Sequence, residues 1–214
     1  MSNSPGFWTR LGGAGGLVFF VSLAILIVLM PLSHSVSEPG FDASSSAFLA
    51  YGKSQASLPF ALELLGVLGL FGFLVFAVVL ADTFRTGEQR SNAPPVLVLV
   101  TAALFAVFWF LDLGIGVAET FRHGDLDATA ASVFYGLANG VFVTSWAAIG
   151  GFLISAGLAS VWSRTLPVWL GWAGLVIGLG MFLAVAAPLT AFWFLPYFLF
   201  FFWVLATSVV LLRR

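Results

Sequence analysis

The sequence predicts an all-α membrane protein, a single bundle of six transmembrane helices that spans residues 1–214. Of its 214 residues, 61% are hydrophobic and 8% are charged, whereas a soluble domain carries about 25% charged residues. The mean hydropathy of the chain is +1.09. Six apolar stretches reach the roughly 20 residues that a helix needs to cross a bilayer. A chain of this size usually forms one domain.

The predicted spans follow one another through short connections, except after the first. The fourth is longer than a bilayer requires, so it either tilts or begins outside the hydrocarbon. Pro188 ends the fifth span, and Pro196 falls early in the sixth, where a helix tolerates proline. The six spans are Leu11–Leu32, Leu58–Ala81, Pro95–Val117, Thr129–Trp162, Pro167–Ala187 and Ala191–Leu212.

The only sizeable segment between predicted spans runs from Ser33 to Ser57. Asp42 is of a residue type that caps helices, and apolar residues follow it at 47–51. We therefore expect a short extracytoplasmic helix that lies on the membrane or covers the bundle. A packed or irregular loop is the alternative.

Basic residues predict that both termini are cytoplasmic, because Lys and Arg accumulate on the cytoplasmic side of membrane proteins. Only Lys53 and Arg122 fall on the side of the 33–57 segment. The first span is long for a signal peptide and no Ala-x-Ala site follows it, so we expect it to be retained. The basic residues on the opposite side are Arg10, Arg85, Arg90, Arg164, Arg213 and Arg214.

Several classes of function are disfavoured by what the sequence lacks. The absence of cysteine excludes disulfides, thiolate catalysis and cysteine-ligated metal centres. A net charge of −1 without a basic run argues against nucleic acid as a partner. No phosphate-binding loop, nucleophile elbow or His-Glu-x-x-His motif is present, so no cofactor is evident and an enzyme is the less expected class.

Two carboxylates inside predicted spans are the strongest candidates for a functional site. Burying an ionisable group in a bilayer costs roughly 2.5 kcal/mol or more, so Glu63 and Asp112 require an explanation. Glu119 shares a helical face with Asp112, and Tyr135 and Asn139 are neighbours one turn apart on the fourth span. We expect these five residues to form a ligand-binding site.

Three interpretations of Glu63 and Asp112 stay open. A protonated carboxyl, or one bonded to Asn139 or Tyr135, would lock helices together. A cavity open to the extracytoplasmic side would bind a small or lipidic ligand, which is the favoured function. The pair would otherwise act as acid and base on a lipid-soluble substrate within the membrane. Transport ranks last, because the cytoplasmic half of the spans is nearly free of polar side chains.

A metal site outside the membrane is a weaker prediction. His34 and His123, with Asp125 and Asp127, carry suitable ligand atoms, but their spacing matches no strong metal motif. A solvated loop is the alternative.

Small residues recur at helical spacing and predict close helix packing. Besides the lipid bilayer, the expected partners are a second copy of the chain or a larger membrane complex, in which the chain would be a structural accessory subunit. The glycine sets are Gly12 with Gly16, Gly66 with Gly69 and Gly72, Gly136 with Gly140, and Gly174 with Gly178.

The entry to the fifth span, Leu166-Pro-x-Trp-Leu-Gly-x-x-Gly174, resembles that of a broad set of bacterial six-helix membrane proteins. These belong to domain-of-unknown-function families that are frequent in actinobacteria. The outer segment after span one and the terminal Leu-Leu-Arg-Arg are similar too. The resemblance implies a six-helix fold in the bacterial cytoplasmic membrane and brings no activity, ligand or catalytic residue.

Overall fold

The computed structural model describes residues 5–33, 35–54, 59–85, 92–122 and 125–214. This part of the chain is helical and contains no strand. Short 3₁₀ turns lie at Pro31–Ser33 and Ala191–Trp193. The seven α-helices are α1 (Pro5–Leu29), α2 (Ser45–Lys53), α3 (Pro59–Arg85), α4 (Ala93–Arg122), α5 (Ala128–Ser163), α6 (Val168–Ala186) and α7 (Phe194–Leu212).

All of the α-helices except α2 are long and apolar enough to cross a membrane, which confirms the prediction of six candidate spans. The predicted ends differ most for the first, second and third spans, whereas those of the fourth are each within one residue of α5. Helix α1 begins six residues early, at Pro5, and α4 extends to Arg122. Helix α5 has 36 residues, about 54 Å at 1.5 Å per residue, and so exceeds the hydrocarbon thickness of about 30 Å.

The long helices form a closed ring in chain order. Each packs against the next, and α7 returns to pack against α1. A buried hydrogen bond of 2.8 Å from the Trp203 indole N–H to the Leu170 carbonyl joins α7 to α6. Helix α2 packs on α5.

Glycines set the closest helix crossings. On α3, a Cβ at Gly72 would lie 2.6 Å from the carbonyl oxygen of Gly15 on α1. On α5, a Cβ at Gly157 would lie 2.7 Å from the carbonyl oxygen of Gly171 on α6. Backbones come this near only where no side chain intervenes, which is how helices gain packing energy in a lipid environment.

One glycine set behaves differently. Gly136 and Gly140 on α5 are exposed, and a Cβ at either position would meet nothing within 4 Å. These two glycines therefore do not lie at a contact between α5 and another described helix of the chain.

An aromatic layer, which we define as Phe19, Phe73, Phe105, Phe152 and Phe200, fills the middle of the bundle. The ring of Phe73 lies 5.0 Å, centroid to centroid, from each of Phe19, Phe105 and Phe152. All five rings are at most 1% exposed. The layer brings together α1, α3, α4, α5 and α7, so the bundle is closed at this depth.

Helix α2 begins after Ser44, whose hydroxyl accepts a hydrogen bond of 3.4 Å from the Ala47 N–H. The expectation that Asp42 caps this helix is wrong, because Ser44 is the residue placed to reach the third N–H of the helix. Phe48, Tyr51 and Gly52 are buried against the bundle. One face of the helix is thereby fixed against the end of the bundle.

Candidate functional site

A cavity of about 760 Å³ opens into the end of the bundle that carries α2, and we call it the α2-end cavity. Its walls come from α1, α3, α4, α5 and the beginning of α7, together with Tyr51 of α2 and residues 38–42. Phe105 of the aromatic layer belongs to its lining. The ring of helices is thus packed in its middle and spread apart at the α2 end.

The structure brings all five residues of the expected ligand site to this one cavity. Glu63, from the second turn of α3, and Asp112 and Glu119 from α4 supply carboxylates. Tyr135 and Asn139 lie one helical turn apart on α5, the helix that packs beside α4, and line the same cavity. Their common location depends on the rotation of three helices relative to one another.

The Glu63 carboxyl occupies space that α4 leaves open. Its Oε1 atom lies 2.6 Å from the point where a Cβ at Gly116 would stand. Its Oε2 atom is buried and has no hydrogen-bond partner. A buried acceptor of this kind has lost its hydrogen bonds to water and gained none from the protein. Leaving it unpaired in a low-dielectric interior costs free energy.

Asp112 lies one turn before Gly116 on α4 and faces the open cavity. Surrounding atoms enclose its carboxylate, yet the side chain stays accessible to water-sized molecules inside the cavity. Neither this carboxylate nor that of Glu63 is bonded to Tyr135 or Asn139 in the described chain, so the structure shows no hydrogen-bonded lock between these pairs.

Tyr135 instead donates a hydrogen bond of 2.5 Å to Oε1 of Glu119, which joins α5 to α4. The Phe48 ring of α2 stacks on the Tyr135 ring with centroids 5.2 Å apart. A Cβ at Gly52 would lie 3.0 Å from Oε1 of Glu119. Helix α2 therefore sits directly on this hydrogen bond, at the rim of the cavity.

Two further carboxylates, Glu38 and Asp42, line the cavity from the segment before α2. Their position in a connecting segment carries no helical periodicity, so sequence reasoning could not place them beside Asp112. Pro39 and Gly40, which lie between them, predict a turn but not where that turn places the two carboxylates.

Burial inside the cavity changes the ionisation of groups in the segment and in α2. It raises the pKa of Glu38 above its ordinary value of 4.5. The pKa of the Tyr51 phenol is also raised, first by burial and then by the negative charges of Glu38 and Glu119. The first cause is the same for both groups: enclosure away from bulk water disfavours the charged form.

Of the four proposed metal ligands, the structure describes only Asp125 and Asp127. His34 and His123 lie outside the described residues. The Asp127 carboxylate caps α5 by accepting a 2.7 Å hydrogen bond from the Ala130 N–H, and Asp125 is exposed. Within the described ranges, no three His, Asp or Glu side chains stand close enough together to hold a metal ion.

Comparison of the chain with protein-family models, with curated proteins and with solved structures found no match in any of the three. The resemblance of residues 166–174 to bacterial six-helix membrane proteins stays a prediction. The class that the fold itself defines is a multi-pass helical membrane protein with six candidate spans. The function is argued below from the cavity.

Proposed function

We propose that this chain is a protein of the bacterial cytoplasmic membrane that binds a small or lipidic ligand in the α2-end cavity. The single observation that carries the proposal is the cavity itself, about 760 Å³ in volume and lined by Glu63 and Asp112. Ligand pockets typically measure about 300–1,000 Å³ and combine apolar walls with a few polar groups. The α2-end cavity has this size and composition.

The cavity opens to the extracytoplasmic side in this proposal. Arg10 and Arg164 lie at the end of the bundle opposite α2, whereas Lys53 and Arg122 lie at the α2 end. An excess of arginine on one side favours a cytoplasmic location for that side. Helix α2 and the segment before it then cover the outer face of the bundle.

Binding is favoured over transport by the aromatic layer. The rings of Phe73 and its four neighbours fill the bundle below the cavity and expose almost no surface. A transported solute needs a polar route or a broken helix near the middle of the membrane. The packing of this layer supports a site that a ligand enters and leaves from the same side of the membrane.

The test is native mass spectrometry of the gently extracted protein, with chemical identification of any retained molecule. We expect the wild type to carry a ligand and the double variant Glu63→Gln/Asp112→Asn to lose most of it while staying folded. Asp82→Asn is the matched control, because it removes a carboxylate from α3 outside the cavity.

Equal retention by the double variant and the wild type would place the ligand elsewhere and contradict the proposal, as would a bare wild-type monomer. A second polypeptide that copurifies in place of a ligand would favour the alternative of an accessory subunit. Turnover of a lipid-soluble substrate that disappears in Glu63→Gln would favour an enzyme.

A further inference from the structure

The charge of the α2-end cavity is of one sign. Five of the nine acidic residues in the chain line it: Glu38, Asp42, Glu63, Asp112 and Glu119. Among the described residues of the lining there is no Lys or Arg. A concave site with walls of one charge concentrates ligands of the opposite charge.

The cavity is also aromatic. Ten Phe, Tyr and Trp side chains line it. Phe142, Trp193 and Tyr197 form a three-sided group: their ring centroids are 5.4–6.0 Å apart and their planes cross at 75–86°. The three rings pack edge to face against one another and so form one continuous aromatic wall of the cavity, on which the apolar body of a ligand can lie.

Carboxylate and aromatic groups alternate on the same wall. Trp109 lies three residues before Asp112 on α4, so the two side chains share a face of the helix. The indole N–H of Trp109 and Oε2 of Glu63 both lack a hydrogen-bond partner. An N–H donor in the cavity would satisfy the Glu63 carboxyl after rotation about its terminal bond, which no neutral hydrocarbon can do.

The carboxylates are too dispersed for a metal ion. In the described part of the chain no three acidic or histidine side chains converge on one point. A divalent cation needs several oxygen ligands at about 2–2.6 Å. An organic cation spreads its charge and its apolar surface over a larger volume, and it can contact separated carboxylates and rings together.

We propose that the ligand of the α2-end cavity is a hydrophobic organic cation, a protonated amine carried on an aromatic or alicyclic body. This inference rests on the proposed binding function and specifies its ligand class. The ammonium group lies between Glu63 and Asp112, and the apolar body lies against Trp109 and the group of Phe142, Trp193 and Tyr197.

The experiment uses two probes of one shape, 1-pyrenemethylamine, which is a cation at pH 7, and the neutral 1-pyrenemethanol. The full chain is placed in lipid nanodiscs, and binding is followed by energy transfer from tryptophan to pyrene. Empty nanodiscs correct for partition into lipid. We expect saturable binding of the amine with an affinity roughly tenfold higher than that of the alcohol.

In Glu63→Gln/Asp112→Asn this preference should fall to about twofold or less, because the charges that recognise the ammonium are gone. Asp82→Asn should keep the wild-type preference. Glu38→Gln changes a residue outside the six candidate spans, so we expect the bundle to stay folded. A reduced preference in this variant, with unfolding unchanged, separates loss of charge from loss of folding.

The outcomes distinguish the ligand class from the binding function. Saturable binding of both probes with equal affinity would overturn the cationic class and leave the cavity as a binding site, as would a neutral or anionic species retained in native mass spectrometry. Failure of both probes to saturate, together with a bare wild-type protein, would overturn both proposals.

Discussion

The carboxyl of Glu63 on α3 lies where a side chain at Gly116 on α4 would have to stand, with Oε1 2.6 Å from the position of that missing Cβ. The site therefore depends on the absence of a side chain as much as on the presence of a carboxylate. Gly116 gives the Glu63 carboxyl room at the cavity wall between Asp112 and Glu119. Four experiments test this arrangement and its surroundings.

Gly116→Ala should displace the Glu63 carboxyl and weaken ligand retention. The new methyl group would overlap Oε1, so the carboxyl has to rotate away, and the cost in stability is small because this atom is the far end of a flexible side chain. Native mass spectrometry measures retention, and thermal unfolding in detergent measures stability. Gly114→Ala is the control, since nothing lies within 4 Å of that position. Equal effects of the two substitutions would refute the role of Gly116.

Tyr135→Phe should destabilise the junction of α4, α5 and α2. The substitution removes the hydrogen bond that Tyr135 donates to the Glu119 carboxylate, and loss of a hydrogen bond to a charged group costs roughly 1–3 kcal/mol. Thermal unfolding with matched detergent reports the change. Tyr197→Phe deletes a hydroxyl from the same cavity that bonds to no described residue, so its effect should be smaller. A Tyr135→Phe protein as stable as wild type would show that the bond is dispensable.

Gly157→Ala should destabilise the α5–α6 crossing. A Cβ there would stand 2.7 Å from the carbonyl oxygen of Gly171, and that backbone atom cannot move without shifting α6. Overpacking of this kind costs roughly 1–3 kcal/mol, more than the gain in helix propensity of about 1 kcal/mol. Unfolding in increasing SDS measures the loss. Gly140→Ala, on an open face of the same helix, should be neutral or stabilising.

Glu38→Gln should change how stability depends on pH. Burial raises the pKa of Glu38 above 4.5, so the folded chain keeps the proton at pH values where the unfolded chain has released it. Its contribution to stability is then fully present below pH 4.5 and is lost as pH rises through the raised pKa.

Glutamine keeps the neutral form at every pH. We therefore expect Glu38→Gln to be more stable than wild type near pH 7 and similar to it near pH 4, by thermal unfolding across this range. Asp82→Asn controls for the loss of a negative charge as such. A constant difference between wild type and Glu38→Gln across the range would count against a raised pKa of Glu38 in the folded chain.

The six spans were predictable because the signal is local. Each apolar run is long enough to cross a bilayer whatever its neighbours do, and helices of 19–36 residues form at all six places. Helix ends were less predictable, because polar residues at the ends of α3 and α4 continue these helices beyond the apolar runs. Residue type alone could not choose between Asp42 and Ser44 as the N-cap of α2, since both types cap helices. The structure shows that Ser44 is the N-cap.

Five residues that line the cavity could be named from the sequence, but the contacts among them could not be predicted. Periodicity placed Asp112 and Glu119 on one face, and both line the cavity. It could not pair Tyr135 with Glu119, relate Gly116 to Glu63, or bring Glu38 beside them. Those relations join elements far apart in the chain.

By itself, then, the sequence determined the number of candidate spans and the few polar side chains that lie within them, because chain length and side-chain polarity are local properties. The tertiary structure decided that the helices pack tightly around Phe73 and separate at the α2 end. That difference arises from how side chains of several helices fit together, and from glycines such as Gly72 and Gly157 that let backbones meet. The rotation of each helix follows from that fit, and so does the convergence of the carboxylates on one cavity.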